Sequence, residues 1–307
     1  MHDLIIIGAG CGGLSAAIYA ARYNLKVLVI SKELGGTLNE AHKVCNYPGY
    51  KEISGFELMM KFKEQAEGLG VEFLFEPVQK AEKKDSHFVI STKDRSFEAR
   101  SVILAMGLSR RHMNIPGEDK FIGKGVSYCY TCDAAFFRDK RVGVVGGSDS
   151  AALAALLLSQ YAKDVYIIYR KGEIRAEPIN RKAVDEASNI EIIPNTNVVE
   201  LKGDGKLSAA VLDKPYNGSA EFPLDGLFIE IGSIPSTHLA EQLGVKIDSS
   251  NFIEIDREKK TSVEGVYAAG DCTDTPMRQA VTAASDGAIA AFSAYQHIKK
   301  KKIEKYE

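Results

Sequence analysis

The segments Asp3 to Lys32 and Arg141 to Arg170 follow one pattern at a constant offset of 138 residues, with no insertion between the copies. Gly8 matches Gly146, Ala16-Ala17 matches Ala154-Ala155, and Val27-Leu28-Val29-Ile30 matches Val165-Tyr166-Ile167-Ile168. Each copy reads as a short apolar run, a glycine-rich turn, an Ala/Leu-rich stretch of helical length and a second apolar β-branched run. That is a βαβ unit, which requires a parallel sheet. A chain carrying it twice is expected to be α/β, with two Rossmann-like, three-layer nucleotide-binding domains.

Each unit also has a later apolar run that stops at glycine, Val102 to Gly107 in the first and Leu227 to Gly232 in the second. Ile115-Pro116-Gly117 and Gly232-Ser233-Ile234-Pro235 read as the linkers. The second domain is therefore expected to be inserted into the first: residues 1–113 begin the first nucleotide-type domain, 114–236 form the second domain, and 237–307 complete the first. Two crossings of this kind make a hinge.

Composition excludes several classes. Lysine plus arginine number 39 against 41 acidic residues, so no field of one sign would hold nucleic acid. No apolar run reaches the roughly 18 residues of a membrane span. The apolar run Leu4 to Ile7 follows Met1-His2-Asp3 without a basic leader, which reads as a first strand in a cytoplasmic protein. The lysine run Lys299 to Lys302 reads as a solvated helix end.

Gly8-Ala9-Gly10-Cys11-Gly12-Gly13 sits where strand turns into helix. There Gly8 permits the turn, Gly10 lets backbone approach a diphosphate and Gly13 allows close helix packing. Glu33, just past the next strand, is the candidate ribose ligand. Gly270-Asp271 closes a β-run, and its carboxylate could accept from a ribityl hydroxyl. Gly35-Gly36 and Asn46-Tyr47-Pro48-Gly49 read as loops at the carboxyl edge of the sheet, where ligands lie.

Cys129-Tyr130-Thr131-Cys132 followed by Asp133 places two thiols within disulfide reach and a carboxylate beside them that could shuttle a proton. Zinc would need a second ligand pair, and the sequence has none. Cys11, Cys45 and Cys272 are isolated and read as small, buried or semi-buried residues.

Together these motifs resemble the low-molecular-weight thioredoxin reductases of bacteria and archaea, from end to end. The resemblance rests on Gly8 to Gly13, Asn46 to Gly49, Gly125 to Asp133, and Gly270-Asp271 with Arg278-Gln279-Ala280. It implies FAD in the first domain, with Gly35, Gly36, Thr37, Asn46 and Gly107 near it and Arg278, Gln279 and Ala280 beside the flavin ring. It also implies a homodimer, a thioredoxin-like partner, Cys132 facing the flavin, Cys129 attacking the partner and Asp133 as the acid. A domain rotation would then expose the thiols.

The second glycine turn departs from the family. Gly146-Gly147-Ser148-Asp149-Ser150 has serine where the family has its middle glycine, and Tyr169-Arg170-Lys171 to Arg175 has Lys171 where a guanidinium fork would grip a 2′-phosphate. Thr37 and Met106 also replace the family's glutamine and threonine. NADPH held by Gly146, Ser148, Asp149, Ser150, Arg170, Lys171 and Arg175 is one expectation. Others are ferredoxin or a reduced deazaflavin as donor, a dithiol oxidase, against which Asp133 argues, and an FAD-binding redox sensor without turnover.

Overall fold

The computed structural model describes residues 1–41 and 44–299; Lys300, Lys301 and Lys302 of the lysine run lie outside them. The chain divides into two compact units, Met1–Ser109 together with the chain from Ile234 onward, and Arg110–Ser233.

In unit 1 the chain runs through β1 (His2–Ala9), α1 (Cys11–Arg22), β2 (Val27–Leu34), α2 (Gly55–Glu67), β3 (Glu72–Phe75), β4 (Lys80–Lys83), β5 (Phe88–Ser91) and β6 (Ser96–Leu104). The sheet order is β3-β2-β1-β6-β5-β4. β1 and β2 are continuous apolar runs because both of their faces are covered. Leu4, Ile6, Val27, Val29 and Ile103 pack on one side, where α1 and α2 lie, while Ile5, Ile7, Leu28, Ile30 and Leu104 pack on the other. The first turn of α2 is closed by a capping box between Ser54 and Glu57.

The chain then passes through β7 (Leu108–Arg110) into unit 2: α3 (Glu118–Phe121), β8 (Val126–Ser127), α4 (Tyr130–Asp133), β9 (Arg141–Val145), α5 (Asp149–Leu158), β10 (Asp164–Tyr169), α6 (Pro178–Glu186) and β11 (Ile190–Pro194). An antiparallel sheet follows, of β12 (Val198–Lys202), β13 (Ala209–Tyr216) and β14 (Ser219–Pro223), and then β15 (Gly226–Ile229). The parallel sheet runs β11-β10-β9-β15-β8. Val142, Val144, Val165 and Ile167 pack with Ala155 and Leu158 of α5; Ile168, Leu227 and Ile229 pack with Leu212 and Phe222 of the antiparallel sheet.

The chain returns through β16 (Ser233–Pro235), which pairs with β7, to α7 (His238–Gln242), β17 (Val266–Ala268) and α8 (Ala280–Lys299). β17 joins the unit 1 sheet beside β6, and Ala290, Ala291 and Ala294 of α8 join the core that contains α1. The inserted arrangement read from the sequence is the one the chain adopts, and the fold is α/β with two nucleotide-binding, Rossmann-like domains.

The crossings fall a few residues earlier than 113 and 236. Ile115-Pro116-Gly117 is not a linker, because Glu118 holds this segment in unit 2. The buried Glu118 carboxylate accepts from the backbone N–H of Met113 (3.0 Å), Asn114 (2.6 Å) and Ile115 (3.4 Å) and from the Tyr128 hydroxyl. The Pro116 carbonyl accepts from Leu201 N–H at 2.9 Å, which ties the same segment to β12.

Candidate functional site

The two glycine turns are built alike. Gly8 has φ +111°, and a Cβ there would lie 2.1 Å from the Ala105 carbonyl oxygen at the end of β6; Gly146 has φ +151°, and its Cβ would lie 2.2 Å from the Glu230 carbonyl oxygen just past β15. Only glycine fits where a strand end touches its neighbour so closely. At Gly13 a Cβ would sit 1.8 Å from the Gly8 carbonyl oxygen, so this glycine seats α1 on its strand. Gly10 is different, since its Cβ would meet nothing nearer than the Gly35 oxygen at 3.8 Å. The space above it is open to a ligand.

Of the residues expected to surround a flavin dinucleotide, Gly35 bonds directly to this turn. Gly35 N–H donates to the Ala9 carbonyl at 2.8 Å, and Gly36 and Thr37 begin the short 3-10 turn Gly36–Glu40. Glu33 is exposed and penultimate in β2, which runs on to Leu34. Asn46 Nδ2 donates to Gln279 Oε1 at 2.9 Å, joining two loops far apart in sequence, while Gly107 follows β6 and Ala280 opens α8. Arg278 stacks with Cζ 3.9 Å from the Phe252 ring centroid, and its Nε is buried without an acceptor. Burial, reinforced by Asp286, raises the Asp271 carboxyl above the usual carboxylate range, against the pull of Arg278. A half-buried carboxyl, a buried donor without a partner and an open glycine turn fit FAD: Gly8 to Gly13 would take its diphosphate, Glu33 a ribose and Asp271 the ribityl chain.

Sequence reasoning missed Asp286. It is buried, lies 2.7 Å from Lys259 Nζ, and accepts from Gly270 N–H at 3.3 Å, so it holds the turn that presents Asp271. The available signal was a lone acid in an Ala-rich helix. Cys11 and Cys272 are buried, with burial pushing the Cys11 thiol up to about 12; Cys45, in contrast to the expectation, is exposed on the loop preceding Asn46.

In unit 2, Cys129 and Cys132 form a disulfide. Ser127 Oγ accepts from Cys129 N–H at 3.0 Å, and Cys129 Sγ accepts from Cys132 N–H at 3.2 Å, with Thr131 Oγ1 at 3.4 Å. These donors would stabilise a Cys129 thiolate once the bond opens. Cys132 is exposed, Asp133 N–H donates to the Cys129 carbonyl at 3.1 Å, and the Phe136 ring nearby is 80% exposed. Among the described residues no His/Cys/Asp/Glu group could hold a metal ion, and no helix is long and apolar enough to cross a membrane.

The second glycine turn keeps its backbone despite Ser148. Ser148 caps α5 with φ −109°, an extended conformation open to any residue, and its Oγ lies 3.1 Å from Ser150 Oγ. Arg175 N–H donates to the Gly147 carbonyl at 2.6 Å, which brings the segment after β10 across the turn. Asp149 accepts from Glu177 N–H at 2.6 Å and from Asn180 Nδ2 at 3.0 Å, so it caps α6 rather than facing a ligand. Arg170, Lys171 and Arg175 are all exposed.

Fold and site together define a nucleotide-dependent disulfide oxidoreductase. The pyridine nucleotide-disulphide oxidoreductase profile matches residues 2–287. The thioredoxin reductase of Treponema pallidum (strain Nichols) is 43% identical over 300 residues, 97% of each chain. The crystal structure of Lactococcus lactis thioredoxin reductase superposes with a TM-score of 0.92 at 36% identity, covering 98% of this chain and 100% of that one. A ferredoxin-flavin thioredoxin reductase structure from Clostridium acetobutylicum is 34% identical over 98% of this chain and 99% of its own, with a TM-score of 0.53. The chain belongs to the thioredoxin reductase family, and it is an oxidoreductase acting on a disulfide.

Proposed function

We propose that this protein is an FAD-dependent reductase of thioredoxin or a similar small redox protein, with NADPH as its electron donor. The observation that carries the reading is the Cys129–Cys132 disulfide, partly exposed and with hydrogen-bond donors already placed on Cys129 Sγ. FAD held by Gly8 to Gly13 and Asp271 supplies a two-electron carrier when bound. With two electrons and two protons the Cys129–Cys132 disulfide would open to the dithiol, Cys132 being the sulfur that faces the electron source. Cys129 Sγ then attacks one sulfur of the partner's disulfide and displaces the other, to which Asp133 delivers a proton. Cys132 Sγ next attacks Cys129, re-forming the internal bond and releasing the partner as a dithiol. The two electrons lost by the pair are those gained by the partner. The exposed Phe136 ring offers the partner an apolar footing beside the sulfurs.

NADPH is favoured because Arg170, Lys171 and Arg175 leave positive charge beside the glycine turn, where a 2′-phosphate would lie. A second reading, ferredoxin as donor, draws on Ser148 and Lys171 and on the name of the Clostridium relative. The proposal includes a homodimer in the cytoplasm, a setting in keeping with three free thiols beside one redox-active disulfide. Anaerobic titration of the yellow protein with NADPH, NADH and reduced ferredoxin tests the donor. NADPH is expected to bleach the flavin and, with thioredoxin present, to generate its dithiol. Bleaching by ferredoxin alone would establish the second reading.

A further inference from the structure

Glu230 directly follows β15, at the point where the strand order of unit 2 reverses. From β9 the chain moves through α5 to β10 on one side, while β15 and β8 lie on the other. Ligands of such sheets bind in the crevice at this switch point. Glu230 N–H donates to the Val145 carbonyl at 2.8 Å, and its own carbonyl abuts Gly146, so the residue lies on the crevice floor next to the glycine turn. In the first unit the same place is taken by Ala105. The duplicated architecture therefore has an apolar residue in one copy and a carboxylate in the other.

The side chain is only 8% exposed. Ser150, in the first turn of α5, hydrogen-bonds it, and Arg110 Nη1 balances its charge from 3.6 Å, too far for a well-formed hydrogen bond. Oε1 is buried with no partner within hydrogen-bond distance. A buried carboxylate oxygen in that condition is costly unless a ligand supplies a donor. The sheet order says which part of a dinucleotide would do so. With the diphosphate on the glycine turn, the adenosine half lies over β10, where Arg170 and Lys171 stand, and the other half lies over β15. That half carries ribose hydroxyls and a carboxamide N–H, all donors.

We infer that Glu230 recognises the nicotinamide riboside half of the donor nucleotide, with Oε1 accepting a hydrogen bond from it. The inference rests on the reading of unit 2 as the donor domain and adds to that reading a residue that binds the nicotinamide end and not the phosphate end. Burial raises the carboxyl to about 7 against the opposing pull of Arg110 and Ser150, so the group is poised between acceptor and donor forms at neutral pH.

Isothermal titration of the oxidised, FAD-loaded protein tests this with NADP⁺ and with 2′,5′-ADP, which lacks the nicotinamide riboside. Glu230→Ala is expected to weaken NADP⁺ about tenfold and leave 2′,5′-ADP unchanged. Arg170→Ala is expected to weaken both. Equal losses of the two ligands in Glu230→Ala, no loss of either, or no NADP⁺ binding by the wild type would overturn the inference. Photoreduction of the flavin in the presence of thioredoxin separates the two levels. If thioredoxin is reduced while NADP⁺ fails to bind, the reductase reading stands and the role of Glu230 falls.

Discussion

At the scale of single residues, electrostatics decides most of what this chain does differently from its own internal repeat. Lys171 presents a point charge where a guanidinium would make two parallel contacts with a phosphate. Lys171→Arg is expected to raise the preference for NADPH over NADH about tenfold, equivalent to about 1.4 kcal/mol, in anaerobic flavin-reduction rates. Ser148→Gly is expected to shift both nucleotides together, because Ser148 already has the extended backbone of its counterpart Gly10 and stands at the diphosphate turn, which the two nucleotides share. Glu230 has a consequence for stability as well. Its carboxyl titrates near 7 in the folded chain, above its ordinary 4.5, so the native state holds the proton more tightly than the unfolded one. Stability associated with this group is full below about pH 4.5 and declines as pH rises through about 7, by about 3 kcal/mol. Urea melts across that window should show a flatter slope for Glu230→Gln than for the wild type, and parallel slopes would contradict the assignment. Glu230 was not legible in the sequence as a site residue, because it lies inside the apolar run Leu227 to Ile231 and only the register of the second repeat against the first distinguishes it.

At the scale of elements, the motif glycines and the apolar runs were legible because they answer to local geometry: a strand end against its neighbour, a helix seated on its sheet, a buried strand apolar on both faces. The linker assignment failed because Pro116 and Gly117 look the same whether a segment is loose or stitched. What binds it here is the buried Glu118 carboxylate, a contact between a side chain and the preceding backbone that no pattern of hydrophobicity reveals. Helix crossing is another feature set by contact. A Cβ at Gly287 of α8 would lie 2.0 Å from the Gly12 carbonyl oxygen of α1. Gly287→Ala should force the two helices apart, lowering stability by about 1–3 kcal/mol and, because Gly12 belongs to the turn proposed for the flavin, lowering flavin occupancy. Thermal melts with the flavin-to-protein absorbance ratio check both effects. Full occupancy in a destabilised variant would show that the helix contact and the turn are independent.

At the scale of the whole molecule, the chain uses one architecture twice and separates the work. Unit 1 has the glycine turn with Asp271 and Arg278, the place proposed for the flavin; unit 2 has the second glycine turn and, on the same chain segment, the Cys129–Cys132 disulfide. The insertion, the doubled sheet and the dithiol could be read from sequence, since each is a repeat, a period or a spacing. The loop bond from Asn46 to Gln279 and the Asp286 support of Gly270 could not, because they depend on distances between residues 233 and 16 positions apart. Flavin and disulfide are expected to exchange electrons as one redox system. Anaerobic reductive titration of the purified protein with dithionite, followed at the flavin absorbance, measures this directly. Full reduction is expected to take about four electrons per chain, two for the flavin and two for the disulfide, and about two after Cys132→Ser. A wild-type endpoint at about two electrons, with the Cys129–Cys132 bond still intact by thiol counting, would contradict it.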